Sequence, residues 1–231
     1  MVHRRAVPPR AEIQALRTRA PVRRLRPRGD GGRAAGLTAP APDPDRLAAA
    51  LSLTARRYAF ARVEPVAGHS LAGFFRRDVA ALAREAVAGR PERLLVRAST
   101  GAPGWAAVPW VAWFAPHVTR SMRHGLYVAC FVNAPDERIV LSLQHGAADA
   151  LREHGHDAGL RHLRDRAART RDGLPGHGFD TRPIALGSDA TLPQGYQAGC
   201  VLSRSWDAAA PDPDGFDRAL MRMLDLYRAL V

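Results

Sequence analysis

The run Leu126-Tyr-Val-Ala-Cys-Phe-Val132 carries no charged side chain and no polar alternation. A strand wetted on one face alternates apolar with polar residues, whereas a strand that stays apolar throughout is covered on both faces. This run therefore predicts the centre of a sheet with a layer on either side. The turn Asn133-Ala-Pro-Asp-Glu137 and the run Ile139-Val-Leu-Ser-Leu143 that follow read as its hairpin partner.

Further strands are expected at Leu94–Val96, before a Gly/Pro turn at Gly101–Gly104, and at Val108–Phe114, with Pro109 near the beginning where a proline is tolerated. Tyr196–Trp206 reads as one more strand. Helices bracket this block. The first opens near Pro44–Asp45, with Asp43 or Asp45 as cap and Leu47, Leu51 and Leu53 following, and runs to about Arg62. A second spans Ser70–Val87, with Ser70 as N-cap. A third spans Asp149–Arg171, with Leu151, Leu160, Leu163 and Ala167 as its inner stripe. The last is the clearest: Phe216, Leu220, Met223, Tyr227 and Leu230 recur at helical spacing behind Asp214 as cap. The order predicts a single α+β domain over residues 43–231, a mostly antiparallel central sheet flanked by helices. Residues 1–42 are rich in Arg, Pro, Ala and Gly without apolar periodicity, and read as a disordered basic tail. That tail is either an arm that touches phosphates, or a passive segment or an early start codon.

The chain has 231 residues and a formal charge of +12, and all 34 of its basic residues are arginine. The absence of lysine excludes a Walker A nucleotide site, a Schiff-base mechanism and a nuclease core built on a catalytic lysine. Residues 1–46 carry a net +7 and residues 47–231 a net +5, so the folded part is only moderately basic, enough for weak, screened attraction to a polyanion. Cys130 and Cys200 form no redox or metal motif and read as buried side chains in a reducing, cytoplasmic setting. No signal peptide is evident. The uncharged run 98–119 is broken by Pro103, Pro109 and Pro116, which excludes a membrane-spanning helix there.

Catalytic signatures are sparse. His145, His154, His156 and His162 crowd one region, without the Cys-x-x-Cys or His-Glu-x-x-His spacing of a metal centre. No Gly-x-Ser-x-Gly elbow accompanies a histidine. Asp149, Glu153 and Asp157 share one helical face, as a solvated surface does. No metal, cofactor or catalytic residue is assigned. The informative segment is Arg97 to Gly146, where Trp105, Trp110 and Trp113 fall within nine residues beside the Gly/Pro turn. At least one of the three is expected in the core; a ring beside such a turn can also face a ligand.

At Trp105-Ala-Ala-Val-Pro-Trp110, with Gly125-Leu-Tyr-Val128 and Leu141-Ser-Leu-Gln-His-Gly146 after it, the chain resembles the N-terminal DNA-binding domain of McrB-type modification-dependent restriction proteins. The resemblance is strongest over 93–146 and looser over 176–231. It implies binding of double-stranded DNA containing 5-methylcytosine, with the modified base rotated out of the duplex into an aromatic pocket. Unstacking costs about a few kcal/mol; stacking on a protein ring returns roughly 1–3 kcal/mol per base, and a snug contact to the extra methyl adds about 1 kcal/mol. By position the resemblance places Trp110, Tyr196 and Phe131 in that pocket, with Ala102 standing where the family's methylcytosine reader has a tyrosine, so one stacking surface is removed. Arg120, Arg123 and His124 in the loop between two strands, and Arg97 beside the turn, are the expected contacts to the DNA backbone.

In the family it resembles, the reader is normally fused to a GTP-driven AAA+ motor that works with a separate nuclease. With no lysine for a motor and the sequence ending just after the last helix, this chain is expected to be a non-enzymatic reader that stands alone or whose effector, an AAA+ GTPase or a nuclease, is on another chain. Two other classes stay open on sequence alone. One is a small metal-dependent nuclease or hydrolase using the histidine region with Asp149, Glu153 or Asp157. The other is a protein-interaction module of an anti-phage defence system.

Overall fold

The computed structural model describes residues 46–174 and 176–231. The expected tail over 1–42 and the caps Asp43 and Asp45 lie outside the described residues. Five strands form one antiparallel sheet in the order of the chain: β1 (Leu95–Ser99), β2 (Trp110–Phe114), β3 (Leu126–Asn133), β4 (Arg138–His145) and β5 (Cys200–Asp207). Every residue of β3 is buried, as are all of β4 except Arg138.

The alternation of side chains explains that double burial. One face presents Val111, Trp113, Val128, Cys130, Leu141 and Leu143 to a core shared with α1 (Leu47–Ala61), with the segment Ser70–Glu85 and with the last helix, α7 (Pro213–Leu230). The other presents Ala112, Phe114, Tyr127, Ala129, Phe131 and Val140 to a second core with α4 (Ala148–His154), α5 (His156–Asp172) and α6 (Thr191–Ala198). The chain is thus a helix–sheet–helix sandwich of the α+β class.

Several local expectations shift. The second helix is capped by His69, whose ring accepts from the Leu71 amide at 3.1 Å, not by Ser70. It runs as α2 (Ser70–Phe74), a π-helical turn (Phe75–Val79) and α3 (Ala80–Glu85). The helix expected over Asp149–Arg171 is two, because Gly155 sits at φ +77°, a left-handed conformation that glycine enters freely and a right-handed helix cannot continue through. The strand expected over Tyr196–Trp206 is helix α6 and then β5, so Tyr196 lies on a helix. Short apolar runs do not separate helix from strand; here packing of Tyr196 and Ala198 against the sheet's second core decides. The last helix is capped by Asp212, which accepts from the Gly215 amide at 2.9 Å, not by Asp214. Asp214 and Asp217 instead pair with Arg46 at the start of α1.

Two buried polar contacts tie helices to the sheet. The Trp113 indole donates to the Ala83 carbonyl of α3 at 3.0 Å, so this tryptophan is core. The Tyr227 hydroxyl of α7 accepts from the Ala115 amide at 3.0 Å and donates to the Leu126 carbonyl at 2.9 Å, closing the gap where β2 ends and β3 begins. Tyr227→Phe leaves both backbone groups buried without a partner. It is expected to lower unfolding stability by about 1–3 kcal/mol, read as a lower denaturation midpoint at unchanged denaturant slope; an unchanged midpoint would show that the clamp contributes nothing.

Candidate nucleic-acid interface

The Gly/Pro turn between β1 and β2 is built as a rigid loop. Gly101 has φ +94°, and a Cβ there would collide with the backbone of Gly104 and Ala106. The Ala106 amide donates to the Thr100 carbonyl at 2.6 Å, and the Gly101 amide to the Ser99 hydroxyl at 3.0 Å. From below, the Tyr58 hydroxyl of α1 reaches the Ala106 carbonyl at 2.8 Å. Arg76, carried by the π-helical turn, donates to the Gly101 carbonyl. Trp105 is half-buried, its indole donating to the Glu64 carbonyl at 2.7 Å and its ring meeting Tyr58 and His69 edge to face at 5.2 and 5.0 Å. Trp105 therefore anchors the turn to the helical layer, and the tip, with Ala102, Pro103 and Gly104, is exposed.

Trp110 opens β2 on the opposite face from Trp113. It pairs with Ser99 of β1 and Phe131 of β3. Phe131 is fully buried and Tyr196 is 5% exposed; their rings lie 5.1 Å apart at 32°. Burial pushes the Tyr196 phenol far above its ordinary pKa, so it stays neutral. Trp110 is half-buried and packs on this second core. The structure thus gathers Trp110, Phe131 and Tyr196 into one cluster, and of the three only Trp110 keeps substantial exposure. Arg97 points to the same face of β1, opposite Ala112 and two pairs along from Trp110, and is exposed.

Arg120, Arg123 and His124 stand at the other end of the sheet, in the loop leading into β3. Five residues of β3 separate Phe131 from Leu126, roughly 17 Å at strand spacing. All three are exposed. Arg123 and His124 are held by one carboxylate, Asp149 of α4: the Arg123 guanidinium at 3.0 Å and the His124 Nδ1 at 3.0 Å, with Arg152 also at 3.0 Å. Partial desolvation acts to raise the Asp149 pKa, but hydrogen bonds from His124 and Arg123 and the charge of Arg152 outweigh it and hold the carboxyl below its ordinary range. Arg120 has no ion-pair partner among the described residues.

A model of the MrcB-like N-terminal domain matches residues 54–231. The chain belongs to this family. The match spans the whole sheet, all helices after the start of α1, and every candidate residue named above. It identifies the chain as a McrB-like restriction-system domain. No curated protein matches the chain.

In this MrcB-like domain the histidines are dispersed in role. His154 and His162 stack at 4.6 Å across α4 and α5, and His124 is bound to Asp149. Among the described residues no group of three or more His, Cys, Asp or Glu converges, and none of the helices is long and apolar enough to cross a membrane. His145, at the end of β4, is 4% exposed, with Nε2 2.8 Å from the Thr170 hydroxyl. Burial first, then the charges of Arg166, His162 and Arg169, bring its pKa down to about 4. His145 is thus buried and apart from His154 and His156, which it neighbours in sequence; its place at the end of the apolar run Ile139–Leu143 is the signal for that burial.

A histidine that ionises less readily folded than unfolded confers no penalty above its unfolded pKa near 6.5 and a growing one as pH falls toward 4. Stability of the domain is therefore expected to drop between pH 6.5 and 4, by up to about 3 kcal/mol from this group. His145→Gln should flatten that part of the pH profile of the unfolding midpoint; an identical profile would assign the acid sensitivity elsewhere.

Proposed function

We propose that this domain reads duplex DNA carrying a modified base of the 5-methylcytosine type, taking that base out of the stack against Trp110. The observation that carries the reading is the position of Trp110: a half-buried indole beside a rigid exposed turn, with exposed Arg97 two pairs away on the same face. Family membership adds the restriction setting. A flipped base needs a flat ring to recover its lost stacking and a fixed rim to define the pocket. Trp110 supplies the first and the pinned turn the second. Phe131 and Tyr196 already fill the space behind Trp110 with each other, so they act as the pocket's back wall and not as the stacking surface. With Ala102 at the exposed tip, the turn contributes backbone and not a ring to the pocket.

Arg120, Arg123 and His124 hold the phosphate backbone in this reading. Their separation from the aromatic end corresponds to roughly five base steps of B-DNA, so one duplex engages both ends of the sheet. Asp149 orients Arg123 and His124 while leaving both exposed. The same contacts weigh against a hydrolase built on Asp149, since two guanidinium groups and the His124 ring occupy its oxygens. The domain itself is a reader without catalytic residues; DNA cleavage and GTP hydrolysis belong to partner chains.

Trp110→Ala is expected to reduce discrimination between methylated and plain duplexes by about tenfold, the equivalent of one stacked base, as measured by competitive binding with folding verified by circular dichroism. Full discrimination by the folded variant would make Trp110 a core residue and end the pocket assignment. Arg120→Ala with Arg123→Ala is expected to weaken both duplexes equally and to reduce the slope of log affinity against log salt by roughly 1–2. An unchanged slope would take that loop out of the interface.

A further inference from the structure

A cleft lies at the end of the sheet opposite Trp110, where the start of β3 and the end of β4 meet the last turns of α5 and the end of α7. Its volume is about 580 Å³, within the range of sites for small organic ligands. Arg166 and Arg169 stand one turn apart on α5 and both line it, with the Thr170 hydroxyl beside them. Their neighbour Arg171 donates to the Val201 and Cys200 carbonyls at 2.9 and 3.2 Å. The Arg166 and Arg169 guanidinium groups have no hydrogen-bond or ion-pair partner among the described residues, and no acidic side chain lines the cleft. Val231 closes the rim, and no ion pair joins its carboxylate to either arginine. Buried His145 also lines the cleft, held through Nε2 by Thr170, and its Nδ1 has no hydrogen-bond partner. The remaining wall is aliphatic, from Val118, Leu126 and Leu230.

Two exposed arginines without a partner among the described residues, lining a space without a carboxylate side chain, make a site for an oxyanion, which arginine binds in bidentate geometry. A bare phosphate would leave most of the cavity empty and the aliphatic wall unused. We propose that this cleft binds a phosphate ester of mononucleotide size, the phosphate on Arg166 and Arg169 and the organic part against Val118, Leu126 and Leu230. The site stands on its own residues and is independent of the assignment of Trp110. Two sources offer this chemistry, a free nucleotide and the backbone of bound DNA.

Isothermal calorimetry on the full chain with adenosine 5′-monophosphate, inorganic phosphate and adenosine tests it, with amide shifts followed by NMR. Saturable binding of the monophosphate is expected, tighter than that of inorganic phosphate, with no binding of adenosine and with shifts centred on Gly125, Thr170 and Gly173. Arg166→Gln with Arg169→Gln should weaken it about tenfold or more, as loss of charge-assisted bonds requires. Arg161→Gln with Arg164→Gln, which removes equal charge from the same helix away from the cleft, should leave it unchanged. Competition with a plain duplex then separates the sources: displacement of the monophosphate identifies backbone phosphate, and simultaneous binding identifies a free ligand. No saturable binding, or equal weakening by both double variants, would overturn the site. An affinity for the monophosphate no tighter than for inorganic phosphate would overturn the role of the aliphatic wall.

Discussion

Burial of β3 and β4 on both faces is the constraint from which the rest of the architecture follows. Val128, Cys130 and Leu141 sit on one side, Ala129, Phe131 and Val140 on the other, and none is more than 3% exposed. Apolar surface on both sides of a sheet needs a layer on each, at about 25 cal/mol per Å² removed from water. The helices before the sheet and the final helix cover one face; the helices inserted between β4 and β5 cover the other. With the middle of the sheet closed, ligand contacts are left to its two ends and to the β1 edge.

Those ends differ in character. At one, a turn pinned by Tyr58, Arg76 and Trp105 holds a fixed shape next to Trp110. Rigidity there matters because a base taken from the duplex must meet a preformed surface; a pocket that has to be ordered at the moment of binding gives part of the stacking energy back. At the other, arginines predominate. Asp149 gathers Arg123, His124 and Arg152 around one carboxylate, while Arg120, Arg166 and Arg169 have no such partner among the described residues. These arginines offer local attraction to an anion without a strongly basic fold.

Much of this was legible in the chain before folding. The stripe from Phe216 to Leu230 carries a period that only a helix satisfies, while the short apolar run at 126–132 and its partner are separated by a Pro-containing turn, as a hairpin is; all three are where expected. The family's motifs around Trp110 were legible for a similar reason, since they lie within strands and turns of short range. Tyr196 was misplaced on a strand because its neighbours are few and apolar, and helix or strand would bury them equally well. His145 was read as part of a surface cluster because proximity in sequence to His154 and His156 says nothing about which side of a strand end a ring occupies. That the two expected parts of the interface, aromatic and basic, lie at opposite ends of the sheet is shown only by strand register.

By itself the sequence determined the class of fold, the central hairpin, the closing helix and the exclusion of lysine-dependent chemistry, because periodicity and residue type are local properties of the chain. Tertiary structure alone decided which tryptophan is core, which anchors a turn and which stays accessible, and that Arg166 and Arg169 face a cavity with Thr170 and His145. Exposure and convergence arise from the packing of segments distant in sequence, and no local pattern encodes which surfaces that packing leaves open.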